Sequence, residues 1–222
     1  MENETIYDVT FKGEGVMARK IFLEGKNPNS RAYYGWQDGG LALYGLKEGY
    51  KNSADNLVGI ALTEGSKGDI KTLDTYIFPI LFCYRHSLEI SLKQIYYRFF
   101  GKLPPDGNHD LIMLYDNVKE NIVDVLNSPN FIADVKKYKK TFIKYSTDDI
   151  DFGEIRRLVC ELQGADNKAD IWRYLMNKKG QLYFTDSKFV DYKNLKDVIG
   201  ELYEIFDFIY DIASEYLSGD PT

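Results

Sequence analysis

Four ionisable residues stand close together in the stretch YRHSLEISLK, residues 84–93: Arg85, His86, Glu89 and Lys93. Their types suit work on a charged substrate. An imidazole takes or gives a proton near neutral pH. A carboxylate can orient it, and a guanidinium can hold a phosphate or a developing negative charge. Arg85, Glu89 and Lys93 follow one another at four-residue steps, and His86 lies three before Glu89. On a helix all four therefore fall on neighbouring lines of one side. Two readings stay open. One is a ladder of half-exposed ion pairs, Arg85 with Glu89 and Glu89 with Lys93, each adding roughly 0.3 kcal/mol. The other is a polar cluster lining a cleft or a subunit interface, because a buried ionic group is costly unless it is paired.

Other residues could join them. His109 precedes Asp110 at a predicted helix start, where an aspartate complements the helix dipole. Two histidines in one cleft could share acid–base work on a phosphodiester. The expected heights of His86 and His109 along their helices differ by about two turns. Arg173 and Tyr174 lie among aromatics, where an arginine can clamp a phosphate or neutralise Glu89, Asp148 or Asp149. The run VKKYKKTFIKY, residues 135–145, interleaves Lys136, Lys137, Lys139, Lys140 and Lys144 with Tyr138, Phe142 and Tyr145. It reads either as a single-strand RNA surface or as a solvated helix face with its aromatics inward. Cys83, three before His86, reads as core rather than as a nucleophile. The chain has no P-loop, His-Glu-x-x-His, Gly-x-Ser-x-Gly or dinucleotide fingerprint. Two histidines and two cysteines offer little to a transition metal, and no cofactor is expected; carboxylate sites for Mg²⁺ stay open.

The elements that must position these residues are helical. Leu43, Leu46, Tyr50, Ala54, Leu57 and Ala61 recur at three- and four-residue steps, with Gly65 as a stop. Ile77, Leu81, Tyr84, Leu88, Leu92, Ile95 and Phe99 form a second apolar stripe that ends at Gly101. Pro79 marks its first turn or kinks it. The preceding YIFPILFCY is apolar all round, so that half of the helix is expected to be buried. A third helix, capped by Asn108 or Asp110, buries Leu111, Leu114, Val118, Ile122 and Val125. A fourth spans roughly 129–145, and a fifth carries Ile155, Leu158, Val159 and Leu162 up to Gly164. Residues 170–186 change period and predict a small β-hairpin. The last helix buries Leu195, Val198, Leu202, Ile205, Ile209, Ile212 and Tyr216. It turns Asp197, Glu201, Glu204, Asp211 and Glu215 outward. The fold class is thus all-α. An antiparallel bundle of five to six helices is expected over 41–217, with an irregular segment packed on it at 1–40 and a tail at 218–222.

Bulk properties narrow the classes. The chain has 222 residues, 44% of them hydrophobic, enough for one sizeable core. Its net charge of −6 excludes a general polyanion binder, so nucleic acid would need a local basic patch. No apolar run approaches the ~20 residues of a membrane helix. The N-terminus lacks a basic region followed by an apolar stretch, so no secretory leader is expected. Cys83 and Cys160, without metal-like spacing, fit free thiols and a cytoplasmic location.

FPILFCYRHSLEISLKQI, followed after a short loop by NHDL, resembles the HEPN (higher eukaryote and prokaryote nucleotide-binding) helical domain. More narrowly it is similar to bacterial HEPN-like proteins of undefined role. These carry an Arg-His-x-Leu-Glu-x-x-Leu-Lys helix and a later His-Asp-Leu. YYGWQDGGLALYGLKEGYKNSADNLV and WRYLMNKKGQLYF fit the same pattern, so the likeness covers roughly residues 30–215. The resemblance implies a helical bundle, usually a homodimer. It also implies a link to metal-independent RNases of toxin–antitoxin, phage-defence or RNA-processing systems. In that family an arginine precedes the catalytic histidine by four to six residues. Here Arg85 adjoins His86, and no arginine stands at that distance before His109.

Three functions remain. The first is an RNA- or nucleotide-directed protein, with Arg85, His86, Glu89 and Arg173 as catalytic candidates. Its ligand contacts would come from Lys93, His109, Tyr174, Lys136, Lys137 and Lys140. The second is a non-catalytic dimeric scaffold that binds a cognate protein. The third is an enzyme acting on a small nucleotide. A cleft exposing Arg85 and His86 would favour the first, and full pairing of those side chains the second.

Overall fold

The computed structural model describes residues 25–35, 38–104, 109–126, 129, 150–167, 169–174 and 176–218, except for the side chains of residues 122, 124–126, 215 and 216. The expected fourth helix and its lysines, Lys136, Lys137 and Lys140 among them, lie outside the described residues, as does Asn108. The chain divides into two units, residues 1–36 and 37–222. In the first, a single 3-10 turn, Pro28–Ser30, is capped by the Asn27 side chain, which accepts from the Asn29 N–H at 3.0 Å.

The second unit is helical. Helix α1 spans Gly39–Gly65, α2 Ile70–Phe100, α3 Leu111–Leu126, α4 Phe152–Ala165 and α5 Tyr192–Ser218. Each start has a local cause. Asp38, Asp69, Asp110 and Asp151 accept backbone N–H groups of the turn that follows them, satisfying donors a helix leaves open. Of the two expected caps for α3, the described one is Asp110. Helix α2 stops at Gly101, which takes the left-handed conformation (φ 63°) that favours glycine.

Helix α2 is the axis of this unit. At 31 residues it is about 46 Å long, and α1, α3 and α5 all pack on it. Its Tyr84, Leu88, Leu92 and Ile95 meet Ala54, Val58 and Ala61 of α1, Leu111, Leu114 and Tyr115 of α3 and Leu202, Phe206 and Ile209 of α5 in one core. Polar ties brace the edges. The Tyr84 hydroxyl donates to Asp55 at 2.7 Å, Tyr115 to the Phe152 carbonyl at 2.8 Å, and Arg98 to Ser214 and Ser218 near the end of α5.

Several expectations need correction. Pro79 marks no first turn; it stands at the tenth position of α2, on an exposed face where water can serve the carbonyl it leaves without a donor. The apolar half of α2 is the less buried half. Phe78 is 37% exposed, whereas residues 84–95 are buried except His86 and Lys93. Neighbouring helices crowd the middle of α2, and burial follows their positions rather than local apolarity. On α1, Leu46 is exposed and Lys47 is buried, ion-paired with Asp207 of α5. Ile122, Val125 and Tyr216 belong to expected faces, but their side chains lie outside the description. The runs around residues 177–180 meet at one antiparallel bridge, Met176 with Leu182, and no strand forms among the described residues.

Candidate functional site

The polar groups of α2 form a ladder, but a buried one. Arg85 is 1% exposed and Glu89 0%. Half-exposure, expected for such a ladder, is overturned. The Arg85 guanidinium bonds to Glu89 Oε2 (3.0 Å), the Asp166 carbonyl (3.0 Å), the His109 carbonyl (2.7 Å) and, at 3.5 Å, Gln163 Oε1. Its Nε also lies 3.7 Å from the Asp166 carboxylate. One side chain thus ties the middle of α2 to the residue before Asp110, which caps α3, and to the end of α4. Gln163 completes the junction. Its Oε1 also accepts from the Leu111 N–H at 2.9 Å, and its amide nitrogen donates to the Asn167 carbonyl.

Glu89 is the hub. Its Oε2 takes Arg85; its Oε1 takes Lys93 Nζ at 2.7 Å and faces His109 Nδ1 at 2.9 Å. Burial alone would raise the Glu89 carboxyl. The hydrogen bond and charge of Lys93, with those of His109, outweigh burial and hold it below its ordinary value. An ionised carboxylate only accepts, so His109 must carry its proton on Nδ1 when neutral. The His109 side chain is 51% exposed. His109 stands level with Glu89, one helical turn from His86, and not two turns away as expected.

His86 stands three residues before Glu89 on the same stripe of α2. Its ring stacks on Phe82 (centroids 5.5 Å, 14° between planes) and meets Tyr50 of α1 edge-on at 4.6 Å. Arg173 neutralises no carboxylate at Glu89. Its Nε donates to the Ala169 carbonyl at 2.8 Å, and its guanidinium lies over the rings of Phe82 (5.5 Å) and Tyr174 (5.3 Å). Asp148 and Asp149 lie outside the described residues. Phe82, His86, Glu89 and Lys93 thus make one line along α2. It has an aromatic–cation stack at one end and a carboxylate–imidazole pair at the other. Cys83 is half-buried, and burial raises its thiol above the ordinary value, which suits an inert core residue. Among the described residues no group of three His, Cys, Asp or Glu side chains is placed to hold a metal ion, and no helix is long and apolar enough to cross a membrane.

Sequence reasoning missed Gln163, Asp166, Phe82 and Tyr50. Asp166 is 0% exposed, and its Oδ1 accepts the N–H groups of Asp170 and Ile171 at 3.0 and 3.3 Å. It shapes the turn in which Ala169 takes a positive φ of 57°. The faint signal was an aspartate just beyond a helix end in a segment rich in Asn and Asp. Tyr50 gave none beyond its place in an apolar stripe.

Burial holds the His86 imidazole below its ordinary value, and the nearby Glu89 only partly offsets it. The unfolded chain therefore takes up a proton that the folded chain resists. The His86 contribution is complete above about pH 6.5 and is lost as pH falls through the lower folded value. His86→Phe is expected to shrink the fall in melting temperature between pH ~7.5 and ~5.5, a window above carboxylate titration. Thermal melts at both pH values check this; an equal fall in both proteins would refute it.

Neither a family model, nor a curated protein, nor a solved structure matches this chain.

Proposed function

We propose that this is a HEPN-like helical protein directed at RNA or a nucleotide, with a role in bacterial defence or a toxin–antitoxin pair. Its ligand would lie between the Phe82–Arg173–Tyr174 stack and the half-exposed His109, with Glu89 buried behind them and out of its reach. The observation that supports the reading best is His109. A buried carboxylate fixes its ring at 2.9 Å while half of its side chain meets solvent. That is the arrangement a general base or acid requires. At the other end of the line, Tyr174, Arg173 and Phe82 offer a base a surface to stack on and a cation beside it. Arg85 serves this site from behind as a strut, since it is buried and bonded to Glu89, Asp166 and His109. The HEPN likeness contributes the expectation of RNA; the site is built from other positions than the family signature.

The test is RNA cleavage by the purified chain in EDTA, beside His109→Ala and His86→Ala variants whose melting temperatures are checked. Cleavage by the parent that falls by on the order of 100-fold in His109→Ala is expected for loss of an acid–base group. A parent that neither cleaves nor binds RNA or nucleotides would overturn the reading. The full engagement of Arg85 favours a second reading in its place, a non-catalytic dimeric scaffold whose polar network only joins helices. Under that reading His109→Ala changes no ligand interaction.

A further inference from the structure

The segment between α4 and α5 carries two exposed tips. At the first, Met176 and Leu182 form the antiparallel bridge, which sets their side chains next to each other on one face. They are 45% and 53% exposed. The turn that joins them holds Lys178 and Lys179. At the second tip Lys188, Phe189 and Val190 follow one another. Phe189 is 102% exposed, so its ring touches almost nothing in its own chain. Lys178, Lys179 and Lys188 are exposed and engaged in no ion pair among the described residues. Between residues 176 and 190 they stand against a single acidic residue, Asp186, in a chain whose net charge is −6. Exposed apolar side chains and free cations thus share a locally basic surface of an acidic protein. Apolar patches of this kind mark protein or membrane contacts.

The first tip is closed on itself. The Asn177 N–H donates to the Gln181 carbonyl at 3.0 Å, and Gly180, in the left-handed conformation (φ 77°), returns its N–H to the Asn177 carbonyl at 3.0 Å. Asn177 Oδ1 accepts the N–H groups of Lys179 (2.8 Å) and Gln181 (3.1 Å). These amides find their partners within the turn and need little from water, which is the condition for backbone to enter a medium poor in water. The root is fixed as well. Phe184 packs on Phe78 of α2 (5.3 Å) and on Trp172 (5.7 Å), and the Tyr183 hydroxyl donates to Asp170 at 2.9 Å. A tip held in place in this way loses little freedom on binding.

We propose that the arm of residues 176–190 seats this chain on the surface of an anionic lipid bilayer. Met176, Leu182, Phe189 and Val190 enter the headgroup boundary, and the lysines lie among the lipid phosphates. Charge complementarity is the first argument. The arm is basic where the remainder of the chain is acidic, so an anionic surface attracts this side and repels the rest. The chemistry of the apolar groups is the second. Methionine, leucine and valine offer a nucleic-acid base no ring to stack on, whereas hydrocarbon takes them as readily as it takes phenylalanine. The isolation of Phe189 is the third, because a fluid bilayer receives such a ring without a matching pocket. The contact is peripheral: no helix among the described residues is long and apolar enough to cross a membrane. It stands whether or not the chain acts on RNA.

The experiment is cosedimentation of the full chain with vesicles of phosphatidylcholine, alone or with about 30% phosphatidylserine. The parent is expected to bind the anionic vesicles and to leave them as salt rises. It should bind the neutral vesicles on the order of 100-fold less, since each lysine near an anionic surface adds about 5-fold in affinity. Lys178→Gln/Lys179→Gln is therefore expected to weaken binding to the anionic vesicles by about 30-fold. Phe189→Ser should weaken it by on the order of 10-fold through lost apolar contact alone. The three side chains are exposed, so both variants should keep the melting temperature of the parent. A chain that stays in solution beside the anionic vesicles would overturn the proposal, as would binding indifferent to either variant. A parent that ignores the vesicles yet holds a single-stranded oligonucleotide through Lys178 and Lys179 would make the arm a nucleic-acid surface and overturn it too.

Discussion

Arg85→Ala is expected to destabilise the fold by about 3–5 kcal/mol, the scale for breaking a buried ion pair from one side. The melting temperature should fall by on the order of 10 °C for a domain of this size. The size of the effect comes from what stays behind. Glu89 and Asp166 are both 0% exposed and would lose a counter-charge. The Asp166 and His109 carbonyls would lose donors. Three helices would lose their common tie at one point. Replacing both partners, as in Arg85→Met with Glu89→Met, should cost less than the sum of the single changes, because no orphan charge remains. Urea denaturation of the four proteins measures this cycle. A loss below about 1 kcal/mol for Arg85→Ala, the range of an exposed pair, would contradict the strut.

Glu89→Gln is expected to cost roughly 2–3 kcal/mol at neutral pH, the scale of hydrogen bonds to charged groups. The variant keeps the shape of the side chain but removes the negative charge that Arg85, Lys93 and His109 share. The pH dependence separates charge from packing. The folded Glu89 carboxyl lies below its ordinary value, so its contribution is present above about pH 4.3 and disappears as pH falls through the folded value. The stability gap between parent and variant should therefore narrow below pH ~4. Denaturant titrations at neutral and acid pH check it; a gap that stays constant would mean that packing, not charge, sets the cost. Where RNA is cleaved, the same variant should lower turnover with little change in RNA affinity. Glu89 orients His109 from a buried position and reaches no ligand.

The apolar stripes fixed the helices α1, α2, α3 and α5 as elements, because three- and four-residue recurrence is a local property of the chain. Asp110 before α3 and the glycine after α2 are equally local, since a cap bonds within its own turn. The ion ladder was legible for the same reason: Arg85, Glu89 and Lys93 had to meet along one helix face. Its burial was not. Whether a ladder meets water depends on what packs over it, and here residues 20 or more positions distant, His109, Gln163 and Asp166, close it off. The same cause inverted the expectation for the apolar half of α2, where the bundle leaves Phe78 half-covered. The sequence by itself determined the helices and the residue types along α2. Only the tertiary structure decided that Arg85 is a strut rather than an exposed ligand group. It also decided that His109 stands level with Glu89 and that Arg173 stacks on rings instead of pairing with a carboxylate. Those outcomes depend on loops and helix ends brought together across the chain, and no periodicity within one segment records them.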